Sequence, residues 1–446
     1  MARLLATLLL SSLLRGNNAA PGYALERKND FTLPPKSSPP YNDDLGTTDG
    51  FVTMGDMLMP ESLYQGYFNS SRASPRKGVS LNDYLWPREN GAPTVPYENL
   101  NSSDITWMRF IYDNGCWSYI GRQPTLGGQD VSIGKGCQEL AIVAHEVGHA
   151  IGLLHEQMRL DRDDHVVINW GNIIYGQTNN FNQAVLILED SRSVPYDYTS
   201  IMHYKGRDFS NSGRTTIATK LPEHQGLLGR SQQLTHRDKH IVNLMYGCID
   251  EWRAQCPSAG GCEGEGYLGR DCTCVCPPGR GGDRCEIYKA DYYSESLPAC
   301  TRTISGEVNF TTPEYPGNIP AGTWCVYKIE APEGMVPEVI FHSFSLRASQ
   351  SLWCTDFLEV RDASLHDGTV YCGDDIKKGQ SFVSNSRNLY LYMETFTSTS
   401  KGFSAEVMFQ DAINPPAPRT GGVKNLVPSA VLVLAALLMA QVYIQS

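Results

Sequence analysis

No cysteine occurs in the first 115 residues of this chain, although its 446 residues hold 13. Positive charge is scarce as well. Against 48 Asp and Glu stand 37 Lys and Arg, a formal net charge of −11, which gives no basic footprint for a nucleic-acid partner. No charge interrupts residues 426–444, LVPSAVLVLAALLMAQVYI, so that stretch has no polar face for a soluble helix. Histidine is missing from the six-cysteine cluster 256–285, which argues against a zinc knuckle there and for disulfides in an exported chain.

What is present divides the chain. One arginine, an apolar run from Leu4 to Leu14 and then small residues make 1–24 a secretory signal peptide. Cysteine usage and the sequons at Asn69, Asn101 and Asn309 agree with export and glycosylation. Residues 25–77, rich in Pro, Ser, Asn and Asp, read as a loosely ordered propeptide. The first core is expected over 78–250 and a cysteine-dense module over 252–286. Period-two runs such as TWCVYKIEAP, DFLEVRD and LYLYMETF make 300–411 an all-β sandwich. A Pro-rich linker, 412–425, leads to 426–444, long enough to cross a bilayer or to be exchanged for a lipid anchor. The expected location is secreted or at the extracellular face of the plasma membrane.

Chemistry concentrates in AHEVGHAIGLLHEQ, Ala144 to Gln157. His145 and His149 lie one helical turn apart, so both imidazoles leave one face and can meet one Zn²⁺. Gly152 can turn the chain without steric cost and swing His155 back as third ligand. Three ligands leave a coordination position for water, the mark of a catalytic site, and Glu146 is placed to handle that water. Acid below about pH 5 should release the metal, because ligation needs neutral imidazole. Downstream, Tyr198–Tyr204 reads YTSIMHY, with Met202 in a turn expected beneath the ligands.

With HExxHxxGxxH, the following Glu156 and the SIMHY turn in place, the chain resembles the astacin family of metzincin zinc endopeptidases. The resemblance implies an α+β, two-subdomain peptidase with a long zinc-binding helix, one Zn²⁺ per chain, and ligands His145, His149 and His155. It implies Glu146 as general base and Tyr204 as oxyanion stabiliser. Glu156 would meet the mature N-terminus and Asp56, in FVTMGDML, would be the propeptide switch at the zinc. His203 is expected to pack structurally. It also implies a Cys116–Cys137 disulfide and a second bridge to Cys248. No cysteine precedes Cys116, as if an N-terminal segment of the peptidase domain were absent, so Cys248 is expected to lie outside the disulfides. The resemblance places the partner of Cys248 on an N-terminal helix, and losing that bridge and helix would cost on the order of several kcal/mol.

Spacing leaves the connectivity of Cys256 to Cys285 open. Resemblance to an EGF-like module implies Cys256–Cys272, Cys262–Cys274 and Cys276–Cys285. Resemblance of 300–411 to a CUB domain implies Cys300–Cys325 and Cys354–Cys372. Asp356 matches one acid of the calcium set of many such domains. Arg347 stands where another is usual and FTSTSKGF has no third, so no calcium is expected. The arrangement resembles hatching and blastula proteases, with matrix, egg-envelope or growth-factor-precursor substrates and CUB-bound protein partners. Arg230 falls near the family's specificity pocket, out of register by one residue. The rival reading is a catalytically impaired adhesion or binding protein using its EGF-like and CUB modules.

Overall fold

The structure is a computed structural model that describes residues 47–48, 51–60, 85–86, 88–89, 92–93, 107–123, 126, 128–184, 194–349 and 353–412. The expected signal peptide, the sequons at Asn69 and Asn101, nearly all of the linker and the 426–444 segment lie outside them. No described helix is long and apolar enough to cross a membrane.

A six-stranded sheet forms the upper half of the first domain, ordered β1 (Thr47–Thr48), β2 (Phe51–Met54), β3 (Met57–Pro60), β5 (Cys116–Tyr119), β6 (Gly128–Ile133), β4 (Trp107–Ile111). Residues 51–60 fall in the stretch that composition alone marks as loosely ordered, yet they form a hairpin. Val52, Met54, Met57 and Met59 alternate inward, each buried to 1% exposure or less, and Gly55 at φ +62° takes the first of two turn positions, as such a tight loop favours. β3 runs parallel to β5, pairing Met57 with Ser118 and Leu58 with Tyr119.

The helix α1 (Leu140–Ala150) crosses beneath the sheet. Val143, Val147 and Ile151 bury against Met108, Val131 and Ile133 of the strands. The helix stops in a Schellman turn. Leu153 N–H donates to Gly148 O at 2.9 Å and Gly152 N–H to His149 O at 2.8 Å, with Gly152 at φ +109°, a conformation cheap only for glycine. The lower half is mostly irregular chain around a two-strand pair, Val166–Ile168 with Ile217–Thr219. It ends in α2 (His236–Met245) and α3 (Cys248–Gln255).

A three-disulfide module follows, joined as Cys256–Cys272, Cys262–Cys274 and Cys276–Cys285. Arg237 of α2 grips its Glu265 with two bonds of 2.7 Å. Cys116–Cys137, Cys300–Cys325 and Cys354–Cys372 complete the disulfides. Cys248 forms none and is buried.

Residues 302–411 fold as a five-stranded sheet packed on a four-stranded one. In the larger sheet the strands Trp324–Glu330, Phe357–Arg361 and Asn388–Glu394 are buried on both faces. Cys325, Tyr327, Leu358, Val360, Leu389 and Leu391 fill the sandwich core. Trp324, Val326, Phe357, Tyr390 and Tyr392 face outward, into one apolar cluster with Tyr196, Tyr198, Tyr204 and Leu227 of the first domain. The sandwich is therefore seated on the lower half of that domain. Arg214 pairs with Asp367 at 2.5 Å, Arg230 with Glu394, and the Arg207 guanidinium lies 4.0 Å above the Phe357 ring.

Candidate metal centre and active site

α1 presents His145 and His149 on one face and His155 returns from beyond Gly152, so the three rings gather with centroids 4.6 to 5.2 Å apart. The outer nitrogens of His145 and His149 are tied down. His145 Nδ1 donates to Ile201 O and His149 Nδ1 to Leu153 O, both at 2.8 Å. A carbonyl can only accept, so each Nδ1 carries a proton and each Nε2 is the nitrogen turned inward. Burial pushes His155 down to about 3 and also lowers His149, which keeps both rings neutral.

Into this trio reaches Asp56 from the β2–β3 turn. Its carboxylate lies 3.3 Å from His145 Nε2, 3.0 Å from His155 Nε2 and 3.7 Å from His149 Nε2. Lone pairs of neutral imidazoles facing carboxylate lone pairs repel unless a cation lies among them. His149 Nε2 is buried and has no hydrogen-bond partner among the described residues. Three imidazole nitrogens and one carboxylate oxygen are the ligand chemistry of a tetrahedral zinc site, and these residues fit that ion. The Asp56 backbone is anchored too, since its carbonyl accepts from Ser118 N at 3.0 Å.

Glu146 is buried on α1 beside His145, at 1% exposure. Tyr204 packs against His155, with centroids 4.3 Å apart and the rings tilted by 52°. Its phenol is pushed well above the ordinary value by burial, then by the charges of Asp56, Asp208 and Glu146, so it stays a proton donor across the working pH range. Met202 lies under the ligands, where a Cβ added to Gly148 would come within 2.8 Å of its sulfur. Its turn is held by Asp238, which accepts from Ser200 Oγ at 2.6 Å and Ile201 N at 3.1 Å and also closes the capping box of α2 with Thr235. Gly148 and Asp238 escaped the motif reading. The only local signal was the Thr235–Asp238 spacing of a capping box.

Glu156 accepts from Asp197 N at 2.8 Å and lies 3.3 Å from Arg159, while burial raises its carboxyl to about 8. His203 bonds Tyr196 Oη at 2.6 Å and Tyr204 O at 2.7 Å, away from the trio. Trp86, also unforeseen, donates from its indole to Ala150 O at 2.8 Å and so caps α1. Arg230 is tied to Glu394 of the sandwich. Asn309 is exposed on its strand. Asp356 accepts from the backbone of Phe396 and Thr397 and from the hydroxyls of Thr397 and Ser400, at 2.6 to 3.2 Å.

Residues 94–247 match the model of the astacin peptidase family, and residues 300–407 match the CUB domain. The chain is 32% identical over 416 residues to the zinc metalloproteinase dpy-31 of Brugia malayi, covering 85% of this chain and 67% of that protein. This chain belongs to the astacin family. Among its astacin relatives, blastula protease 10 of Paracentrotus lividus is 36% identical over 301 residues, 67% of this chain and 49% of that protein. Protein SpAN of Strongylocentrotus purpuratus is 35% identical over 328 residues, 72% and 52%. The chain thus spans about half the length of these last two relatives.

Proposed function

We propose that this astacin chain is a zinc metalloendopeptidase, made as a latent precursor, that hydrolyses peptide bonds of extracellular proteins. The observation that carries the reading is the convergence of three imidazoles, two of them buried and held neutral, beside a buried glutamate and a buried phenol. His145, His149 and His155 would hold one Zn²⁺. When bound, zinc supplies Lewis acidity toward a peptide carbonyl and lowers the pKa of water to about 7. Glu146 accepts the proton of the attacking water and returns it to the departing amine. The Tyr204 hydroxyl donates to the oxygen on which negative charge develops.

Asp56 supports the latency. Its carboxylate fills the space a water and substrate would need, and β3 covers the edge of β5 along which an extended substrate would pair. Removal of residues 25–77 opens both. Glu156, now balanced by Arg159, is the acid that would receive the new amino terminus. Residues 252–286 act as an EGF-like module, and the CUB sandwich binds protein partners. Matrix proteins, egg envelopes and growth-factor precursors are the substrate classes, and residues 426–444 supply membrane attachment.

The test is zinc content and peptide cleavage by processed protein. Glu146→Gln should retain one zinc and lose activity by about 10²–10⁴-fold. Asp56→Ala precursor should cleave peptides without processing. Zinc retention with equal, background-level cleavage by wild type and E146Q would instead support a non-catalytic binding protein, a reading that Cys248, buried outside the disulfides, keeps in play.

A further inference from the structure

A cavity of about 710 Å³ opens where α2, the three-disulfide module and the CUB sandwich meet. It shares no residue with the zinc site. Lys239 of α2, Arg270 and Arg280 of the module and Lys289 just beyond it line it, together with Arg230, while Glu295 is the only carboxylate in its wall. Arg230 is answered by Glu394. The other four cations have no carboxylate within ion-pair distance among the described residues. The acids close by are engaged elsewhere. Asp238 serves Ser200, Ile201 and Thr235, and Glu265 is held by Arg237.

In a chain of net charge −11, four cations without a carboxylate partner around one concavity, one of them (Arg280) over the Tyr288 ring at 5.3 Å, are a local inversion of sign, and their mutual repulsion favours an anionic occupant. Burial lowers the pKa of Lys239, with Asp238 opposing only in part, and a bound anion would reverse that shift. The volume lies in the range of sites that hold a small ligand or a few sugar rings. Arg270 and Arg280 supply planar forks that match the paired oxygens of a sulfate.

We propose that this junction is a binding site for a sulfated oligosaccharide. Cations from two modules crowd one cavity, so a matching ligand must carry several permanent charges on a short, stiff length. Sulfate groups on adjacent sugar rings do so, whereas an acidic peptide carries at most one carboxylate per residue on flexible side chains. The ligand bridges α2 to the module, beside the Arg237–Glu265 clamp that already joins them.

The test uses the full processed chain and a fully sulfated heparin tetrasaccharide, titrated by calorimetry at two salt concentrations. One site per chain is expected, weakening as salt rises through counterion release. Arg270→Glu with Lys289→Glu, both exposed, should lower affinity about tenfold or more, with peptide hydrolysis unchanged. Arg253→Glu, exposed on α3 outside the cavity, should bind as wild type. Wild-type affinity in the R270E/K289E variant overturns the proposal, and so does equal or tighter binding of the desulfated sugar or of a polyglutamate peptide.

Discussion

The zinc helix tolerates almost nothing but hydrogen at position 148. Two elements approach there: α1 carries His145 and His149 one turn apart, and the Met202 turn passes directly below. A Cβ at Gly148 would sit 2.8 Å from the Met202 sulfur and 3.5 Å from Leu153. Gly148→Ala should therefore destabilise the domain by about 1–3 kcal/mol through overpacking, read as a lower denaturant midpoint. Because the turn also sets Ile201 O, the acceptor that orients His145, zinc affinity should fall with it. Unchanged stability and metal binding would mean that the turn yields freely. Gly55 faces a similar limit, since a Cβ there would come within 2.6 Å of the Tyr204 hydroxyl, which makes it the residue that lets the Asp56 hairpin and the Tyr204 phenol share one space.

At the scale of elements, α1 and α2 are set by their ends. α1 closes in a Schellman turn and is capped by Trp86. α2 opens with Thr235 and Asp238, so one carboxylate both starts a helix and holds the methionine turn. On α2, His240 stacks on Tyr267 of the next module with centroids 4.6 Å apart. Burial, then repulsion from His236, push it down to about 4 from an ordinary 6.5. In the unfolded chain His240 binds its proton more readily, so between pH about 6.5 and 4 the unfolded state holds more protons and stability falls as pH drops. His240→Gln should flatten that slope, measured as the difference in denaturant midpoint between pH 7 and pH 4.5 at saturating zinc. The same slope in both proteins removes His240 as a source of acid lability.

On the scale of the whole molecule, the CUB sandwich and the astacin domain share one core. Glu359 and Arg361 are almost wholly buried, at 0% and 1% exposure, because the lower half of the peptidase covers them. Thr215 Oγ donates to Glu359 at 2.8 Å and Arg361 donates to Gln225 at 3.0 Å. Glu359→Ala leaves the Arg361 guanidinium without its counter-charge in the seam, a loss of about 3–5 kcal/mol. Restoring an apolar pair by adding Arg361→Met should recover much of it. Thermal unfolding checks both, with protease sensitivity between residues 286 and 300 as the sign that the sandwich has come loose. Full stability of the single variant would show that the seam contributes little.

The cluster of His145, His149 and His155, with Glu146, Tyr204 and Met202 beside it, could be picked out from one chain of letters, because a helix repeats every turn and only glycine turns back cheaply at 152. Those constraints are local, and a short motif carries them. The two-layer β sandwich was likewise legible, since alternation of apolar and polar residues follows directly from the pleat. What lay beyond reach depended on meetings between distant segments. Period two in WCVYKIE and LYLYMETF identifies a strand but does not say that its outer tyrosines and tryptophan face another domain. A loose-looking stretch at 51–60 becomes a strand pair only when an open sheet edge accepts its backbone. Nor could spacing bring Lys239, Arg270 and Lys289 to one cavity. Local geometry is written in neighbouring residues, whereas burial and electric field at any point are sums over the whole packed chain.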